Sequence, residues 1–122
     1  MNVRVPEILP LTPEAYIICR VDPETLAARG EFAHWRLSSP EECEMGCLGE
    51  IVIPSETVDL VVFAHEAYHA SLDISMYHVP LPLSSPEEEI AARHEAGALV
   101  MEKLIGEVLF SNNLSANAPP SV

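Results

Sequence analysis

The sequence contains a His-Glu-x-x-His motif, formed by His65, Glu66 and His69. On an α-helix, residues four apart lie on one face, one turn above the other. Both imidazoles can therefore point at one metal ion. Glu66 lies beside that face, where its carboxylate can reach a water molecule rather than the metal. This ligand pattern predicts a Zn²⁺ site for metal-assisted hydrolysis, with Glu66 as general base.

The residues around the motif are uncharged, as expected of a helix that lies beneath an active site; they are Phe63, Ala64, Ala67, Tyr68, Ala70 and Ser71. The alternative is a surface helix that carries two solvated histidines and a glutamate without a metal, because a pattern with three fixed positions also occurs by chance. Zinc analysis of protein purified without a His-tag distinguishes the two interpretations.

A catalytic zinc ion usually has three protein ligands and one open position, so a third ligand must come from elsewhere in the chain. An acidic cluster follows at the start of a second predicted helix. Glu88 fits a capping box with Ser85, and Glu87 in the first turn interacts favourably with the helix dipole. Glu89 has the weakest local role and is the predicted ligand. Glu87 and Glu88 remain alternative third ligands. Glu87 lies nearer the centre of the apolar stripe of that helix than Glu89 does.

Two further residues are candidates for the third ligand. Asp73 lies one turn after His69, although it fits the end of the helix or a role in orienting His69 better. His94 lies on the apolar stripe of the second helix, where a histidine more often belongs to the core. A metzincin-type third ligand is excluded, because Leu72 and Ser75 occupy the positions of its Gly and its ligand.

Peptide hydrolysis also needs a hydrogen-bond donor for the developing oxyanion. Tyr77 and His78 are the predicted donors, because they lie between the two predicted helices, and Tyr68 is a further candidate. The competing interpretation of Tyr77 and His78 is an ordinary aromatic residue and a solvated imidazole.

The composition limits the classes of partner. The chain has 122 residues, 48% of them hydrophobic, and a net charge of −13 from 19 acidic and 6 basic residues. This charge repels nucleic acid and anionic lipid, and favours a protein or peptide substrate with basic character. No apolar run reaches the ~18 residues that cross a bilayer, and the N-terminus does not resemble a signal peptide. A cytoplasmic protein is expected; its oligomeric state is not predicted.

The three cysteines, Cys19, Cys43 and Cys47, are odd in number, which argues against a disulfide framework and fits reduced thiols. Cys43 and Cys47 could hold a metal, but their spacing is loose and a second Cys pair is missing. Buried thiols without a role are the preferred interpretation.

The pattern of apolar residues predicts one α+β domain over residues 1–122, with a small three-stranded sheet packed against two helices. The expected strands lie at 15–21, 31–37 and 47–53. An extended lead-in covers 1–14, with at most an edge strand at 2–5. Residues 24–29 form helical turns that Gly30 ends, and 38–42 form a loop.

The motif helix is predicted over 56–72, with Ser55 as its N-cap, and residues 73–83 are predicted as loop or edge strand. The second helix begins with Ser85 as its cap and Pro86 at its first position, and extends to about residue 110. The tail at 111–122 contains several Asn, Ser and Pro residues and is predicted to be flexible.

The motif at 65–70, a short gap and the acidic segment at 87–92 resemble the small zincin-like metallopeptidases of phages and mobile elements, which are related to ImmA/IrrE-type peptidases. The resemblance extends over residues 59–104. It implies a minimal zincin-like fold and a gluzincin-like zinc site with two His and a downstream Glu, with Glu66 as the catalytic carboxylate. For a phage-encoded protein it implies the host cytoplasm. The chain departs from the ImmA/IrrE pattern at Arg93 and His94, where that pattern has Phe and Ala.

Two other functions fit the same residues. The charge of −13 suits an acidic binding or inhibitor protein of phage type that acts on a host protein without catalysis. A zinc ion closed by a fourth protein ligand, such as Asp73 or His94, would be structural. Scattered acidic residues, with one dense cluster at 87–89, favour the enzyme over the acidic mimic.

Overall fold

The computed structural model describes residues 1–78 and 85–117, with side chains described for 1–75 and 85–113. This part of the chain contains two small sheets and four helices, so the predicted α+β class is confirmed. The strands are β1 (Asn2–Arg4), β2 (Ile8–Pro10), β3 (Tyr16–Val21), β4 (His34–Leu37), β5 (Cys47–Ile53) and β6 (Thr57–Asp59). The helices are α1 (Pro23–Arg29), α2 (Pro40–Glu44), α3 (Leu60–His78) and α4 (Pro86–Asn117).

The larger sheet has four strands in the order β2-β3-β5-β4, rather than the predicted three. β3 and β5 are parallel, while β2 and β4 are antiparallel edge strands. The additional strand, β2, lies in the predicted lead-in, where the fully buried Leu9 pairs with Ile17 and Pro10 takes an edge position that proline tolerates. The predicted strand at 31–37 begins only at His34, because the amide of Glu31 still donates to Leu26 of α1.

The start of the motif helix differs from the prediction. Thr57–Asp59 form β6, which pairs with β1 and thereby confirms a short strand near the N-terminus. The Ser55 hydroxyl accepts from the Thr57 amide at 3.1 Å and donates to the Thr57 carbonyl at 2.8 Å, so it stabilises a turn and caps no helix. α3 begins at Leu60, where Asp59 accepts from the amide of Val61 at 2.9 Å.

The end of α3 also differs, since the helix continues to His78 and residues 73–78 are neither loop nor strand. Ile74 is fully buried in the core, and this burial stabilises the additional turns of the helix. The hydroxyls of Ser71 and Ser75 are satisfied within the helix by the carbonyls of Tyr68 and Leu72. Asp73 therefore lies inside the helix and does not end it.

The remaining boundaries follow local signals. Gly30, at φ 67°, ends α1 as predicted. Residues 38–42 are not all loop, because Ser39 and Glu42 form a capping box at the start of α2. α4 begins as predicted, with the Glu88 amide donating to the Ser85 hydroxyl at 3.2 Å. It continues to Asn117 and so ends later than the predicted end at about residue 110, while the flexibility expected of the tail stays a prediction and residues 118–122 lie outside the described part of the chain.

α3 and α4 run antiparallel on one face of the sheets. Near the middle of both helices Gly97 approaches Ser71, and Asn112 near the end of α4 bonds Arg4 of β1, beside the start of α3. The core lies between these helices and the strands, and its fully buried members include Ile17, Ile51, Phe63, Ala67, Ala70, Ile74, Leu104 and Val108. None of the helices in the described residues has a stretch both long and apolar enough to cross a membrane.

Candidate metal centre and its cavity

The two histidines of the motif lie on the solvent-exposed side of α3. Their Nε2 atoms are 3.1 Å apart, and their rings are inclined at 72° with centroids 4.8 Å apart. The regular helix accounts for this approach, because a spacing of four residues stacks one side chain above the other. The structure therefore brings His65 and His69 to a common point.

This separation can be compared with the needs of a zinc ion. Two imidazole nitrogens at zinc-ligand distance in a tetrahedral site lie about 3.3 Å apart. The observed 3.1 Å between the Nε2 atoms is close to that value. The separation of the two atoms thus matches two ligand positions of a zinc site, while in the structure itself the two rings make a hydrogen-bonding contact.

Glu66 has a different environment from the two imidazoles. Its side chain is only 8% exposed, whereas both histidines are exposed. Its carboxylate has no hydrogen bond or ion pair to any of the residues that the structure describes. The carboxylate oxygens are not among the fully buried unpartnered atoms of the described residues, so they open toward the cavity rather than into the core.

A cavity of about 470 Å³ lies between α3 and the edge strand β4. Its lining consists of Glu31, Ala33, His34, Trp35, His65, Glu66, His69 and Asp73. The indole Nε1 of Trp35 donates to Oδ2 of Asp73 at 2.7 Å and connects β4 to α3 along this cavity. All three motif residues thus share one cavity beside a strand whose outer edge has no strand partner in the described part of the chain.

His34 lies in the same cavity lining but is a poor candidate for the third ligand. In the pairing of β4 with β5, Trp35 is opposite Ile51 on the core face, and His34 is opposite Val52. Successive side chains of a strand point to opposite faces, so His34 and Trp35 leave β4 on opposite sides. Its Nδ1 atom instead pairs with Glu31 at 2.9 Å.

Glu89, the predicted third ligand, is not brought to the imidazoles. Its carboxylate pairs with Arg93 at 2.7 Å. Gly97 of α4 lies next to Ser71 of α3. Glu89 lies eight residues before Gly97, which corresponds to about 12 Å along the axis of α4. In an antiparallel pair this displacement leads toward the end of α3, away from His69.

Four more residues were predicted as possible third ligands, and none of them is well placed for that role. Glu87 and Glu88 lie at the same end of α4 as Glu89, and His94 lines a separate groove between α3 and α4. Asp73 does line the cavity, but it lies four residues beyond His69, about 6 Å further along α3, and its carboxylate is bonded to Trp35. Among residues 1–78 and 85–117, no three His, Cys, Asp or Glu side chains form a group that could hold a metal ion.

The predicted oxyanion donors Tyr77 and His78 belong to the last turn of α3, and their side chains lie outside the described part of the structure. Tyr68 is 54% exposed, with its ring centroid 6.4 Å from that of His69, and it lines the groove between α3 and α4. Sequence reasoning did not find Trp35 or Glu31, because their place in the cavity depends on how β4 packs against α3.

The cysteines lie apart from this cavity. Burial raises the pKa of the Cys19 thiol to about 12, which keeps it protonated and unreactive. Burial, followed by the neighbouring Cys47, raises the pKa of Cys43. Cys43 and Cys47 contact Ser38 through their sulfur atoms and, in the described residues, belong to no metal group.

Comparison of the chain with protein-family models, with curated proteins and with solved structures gave no match. The cavity and its side chains are therefore the basis for a functional conclusion.

Proposed function

We propose that this chain is a zinc-dependent metallopeptidase that hydrolyses peptide bonds in a protein substrate. The observation that carries the proposal is the unpartnered carboxylate of Glu66, in one cavity with two imidazoles whose Nε2 atoms are 3.1 Å apart. A solvated surface motif would leave the glutamate exposed, as it leaves the histidines. The zincin-like fold suggested by the motif remains part of this proposal.

Each motif residue has a distinct task. His65 and His69 would hold the ion through Nε2, and a bound zinc would supply Lewis acidity and lower the pKa of water. Glu66 accepts a proton from the attacking water and transfers it to the leaving amine. Glu66 is free for this role, because it lines the cavity and its carboxylate has no hydrogen bond or ion pair to the described residues.

Two protein ligands are fewer than the usual three, so we expect weaker zinc binding than in a peptidase with a complete set. None of the described side chains supplies the third zinc ligand, and this includes Glu89 and Asp73. The proposed oxyanion donors, Tyr77 and His78, keep that role as part of the hypothesis.

The first test compares Glu66→Gln with the wild-type protein, purified without a His-tag and loaded with zinc. We expect Glu66→Gln to bind zinc as the wild type does and to lose at least about 10²-fold in hydrolysis of a fluorescein-labelled, unfolded protein, because it removes the general base. Glu102→Gln, the same change at an exposed position on α4, should leave both properties unchanged. Undiminished cleavage by Glu66→Gln would exclude Glu66 as the base.

The same zinc titration includes His65→Ala and His69→Ala, with His94→Ala as the control in the separate groove. The two motif variants should lose zinc binding and the zinc-dependent rise in Tm, which amounts to about 2.7 kcal/mol of stability at a zinc concentration of 100 Kd. If His94→Ala has the same effect, or if the wild type binds no zinc, the proposal is wrong.

A second candidate function is an acidic binding protein without catalysis. The observation in its favour is the absence of a complete set of metal ligands among the described residues. It predicts binding of a basic host protein that weakens with salt and is unaffected by Glu66→Gln. Zinc-dependent hydrolysis by the wild-type protein would rule it out as the main function.

A further inference from the structure

The groove between α3 and α4 has a volume of about 620 Å³ and lies on a different side of α3 from the cavity of the motif. Small residues lie at its base: Ser71 and Ser75 are buried, and Gly97 approaches the carbonyl group of Ser71. Both serine hydroxyls already donate to carbonyl groups of α3, so they offer a ligand no free donor. The groove is therefore suited to apolar side chains.

α3 contributes an exposed apolar stripe to this groove. Val61, Tyr68 and Leu72 are seven and four residues apart, so they share one face of the helix. They are 76%, 54% and 49% exposed, and Tyr68 and Leu72 line the groove. None of the three belongs to the buried core, so the fold does not require an apolar residue at these positions.

α4 carries a second stripe beside the first. Ala98, Met101 and Leu109 share one face of the helix, and Ala98 and Met101 line the groove. The two stripes lie side by side, because the helices are antiparallel and Gly97 is next to Ser71. Each stripe is about 16 Å long, which is three helical turns. We call the two stripes together the helix-pair face. Contiguous exposed apolar residues of this kind mark an interaction surface.

The charges at the edge of the helix-pair face indicate the kind of partner. Glu95 and Glu102 lie on α4 three residues before and four residues after Ala98, and both are exposed. Neither forms an ion pair within the described residues, whereas every Lys and Arg of the chain is already paired with a carboxylate. The edge of the face thus has free negative charge and no unpaired Lys or Arg.

We propose that the helix-pair face binds an amphipathic helix of a partner protein. The partner's Leu, Ile or Phe side chains would enter the groove, and its Lys or Arg side chains would pair with Glu95 and Glu102. A second copy of the chain is disfavoured as the occupant, because its net charge of −13 would repel the first copy. The inference goes beyond the proposed function and does not depend on zinc, since no motif residue lines the groove.

The first experiment titrates the zinc-free full chain with the synthetic helix LKKLAKALKKLAKAL, by isothermal calorimetry. We expect saturable one-to-one binding, because this peptide has leucines on one side and lysines beside them. Two controls are the same peptide with every Lys changed to Glu, and an isomer of equal composition whose leucines are spread around the helix. Absence of binding would overturn the proposal, and so would equal binding of the isomer, because charge alone would then account for it.

A matched pair of variants locates the apolar contact. Leu72→Ser should weaken binding of the basic peptide about tenfold, because it removes an apolar side chain from the groove. Leu99→Ser is the control, since Leu99 is 56% exposed on α4 and does not line the groove. Both leucines are exposed, so both variants should fold as the wild type does. An equal effect of the two changes would contradict the assignment.

A second pair of variants tests the charges. Glu95→Gln combined with Glu102→Gln should weaken binding and make it less sensitive to salt. Glu14→Gln combined with Glu44→Gln removes the same charge from exposed positions outside the groove, and should have a smaller effect. Equal effects of the two double variants would show that the peptide follows the overall charge and would overturn the role of Glu95 and Glu102.

Analytical ultracentrifugation distinguishes a partner helix from a second copy. We expect the wild-type chain to be a monomer without the peptide and to form a one-to-one complex with it. A dimer that Leu72→Ser dissociates would overturn the proposal and assign the helix-pair face to self-association.

Discussion

Trp35 is the residue that connects the sheet to the candidate site. Its indole donates to Asp73 of α3, and its ring covers Gly49 of the neighbouring strand. A Cβ atom at position 49 would collide with the ring and would lie 2.6 Å from the carbonyl oxygen of Arg36. Gly49 is thus required by the close approach of Trp35, and the cavity wall at β4 depends on both residues.

We expect Gly49→Ala to destabilise the protein by about 1–3 kcal/mol, because the new methyl group has no space and must displace Trp35. Unfolding in urea, followed by the fluorescence of the single tryptophan, measures this loss. Gly106→Ala in α4 is the control: a Cβ there meets nothing within 4 Å, and alanine favours the helix by up to ~1 kcal/mol. Equal stability of Gly49→Ala and the wild type would show that the ring does not occupy this position.

The candidate site was predictable from the sequence only where it depends on one helix. The shared cavity of His65, Glu66 and His69 follows from helical periodicity, which is local. The choice of Glu89 depended on how two helices pass each other, and the spacing of residues carries no such information. The hydrogen bond between Trp35 and Asp73 spans 38 positions and had no local signal.

Among the contacts between elements, the side chain of Asn112 near the end of α4 binds the helix to strand β1. The amide of Asn112 accepts from the backbone N–H of Arg4 at 2.9 Å and donates to the Arg4 carbonyl at 2.8 Å. It completes the hydrogen bonding of β1 on the side that β6 does not pair. Asparagine is a poor helix former, so composition alone predicted a flexible tail here, and the contact with β1 outweighs that preference.

Asn112→Ala should lower stability by about 1–2 kcal/mol relative to Asn113→Ala, because two hydrogen bonds to Arg4 are lost. Asn113 is the matched control: it is exposed on the same helix, and both substitutions bring the same gain in helix propensity. Urea unfolding gives the difference, and hydrogen exchange at the Arg4 amide should accelerate only in Asn112→Ala. Similar stability of the two variants would contradict this role of Asn112.

Element boundaries were predictable where a local signal decides them. Three local signals predicted observed boundaries: the cap at Ser85 for the start of α4, Gly30 for the end of α1, and the apolar run for both ends of β5. The start of α3 did not, because residues 57–59 pair with the N-terminal strand, more than 50 positions away. Pairing between distant strands outweighs the local preference for helix, and a single sequence does not reveal the partner.

For the whole molecule, the distribution of charge is more informative than its sum. All six basic residues form ion pairs with carboxylates; they are Arg4, Arg20, Arg29, Arg36, Arg93 and Lys103. The buried Glu50 is bonded by both Arg20 and Arg36. The remaining acidic residues leave a negative field on the surface, and the proposed preference for basic substrates and partners rests on this field.

The acidic residues also determine how stability depends on pH. The pKa of Asp22 is lowered, first by the hydroxyl and then by the amide of Thr25. The amide of Ser39 lowers the pKa of Glu42, and the amide of Val61 lowers that of Asp59. A carboxylate whose pKa is lower in the folded state binds its proton less readily there than in the unfolded chain. Its stabilisation is complete above the unfolded pKa of about 4 and is lost as pH falls through the folded value.

We therefore expect the free energy of unfolding to fall steeply below about pH 4, and Asp22→Asn to make this decrease shallower. At pH 7 the same variant should be less stable than the wild type, since asparagine loses the charge-assisted bond to Arg20. Glu14→Gln is the control, because the exposed carboxylate of Glu14 makes no hydrogen bond or ion pair within the described residues. Urea unfolding at pH 3, 4, 5 and 7 measures the slopes. If Asp22→Asn follows the wild-type curve with a constant offset, Asp22 does not contribute to acid unfolding.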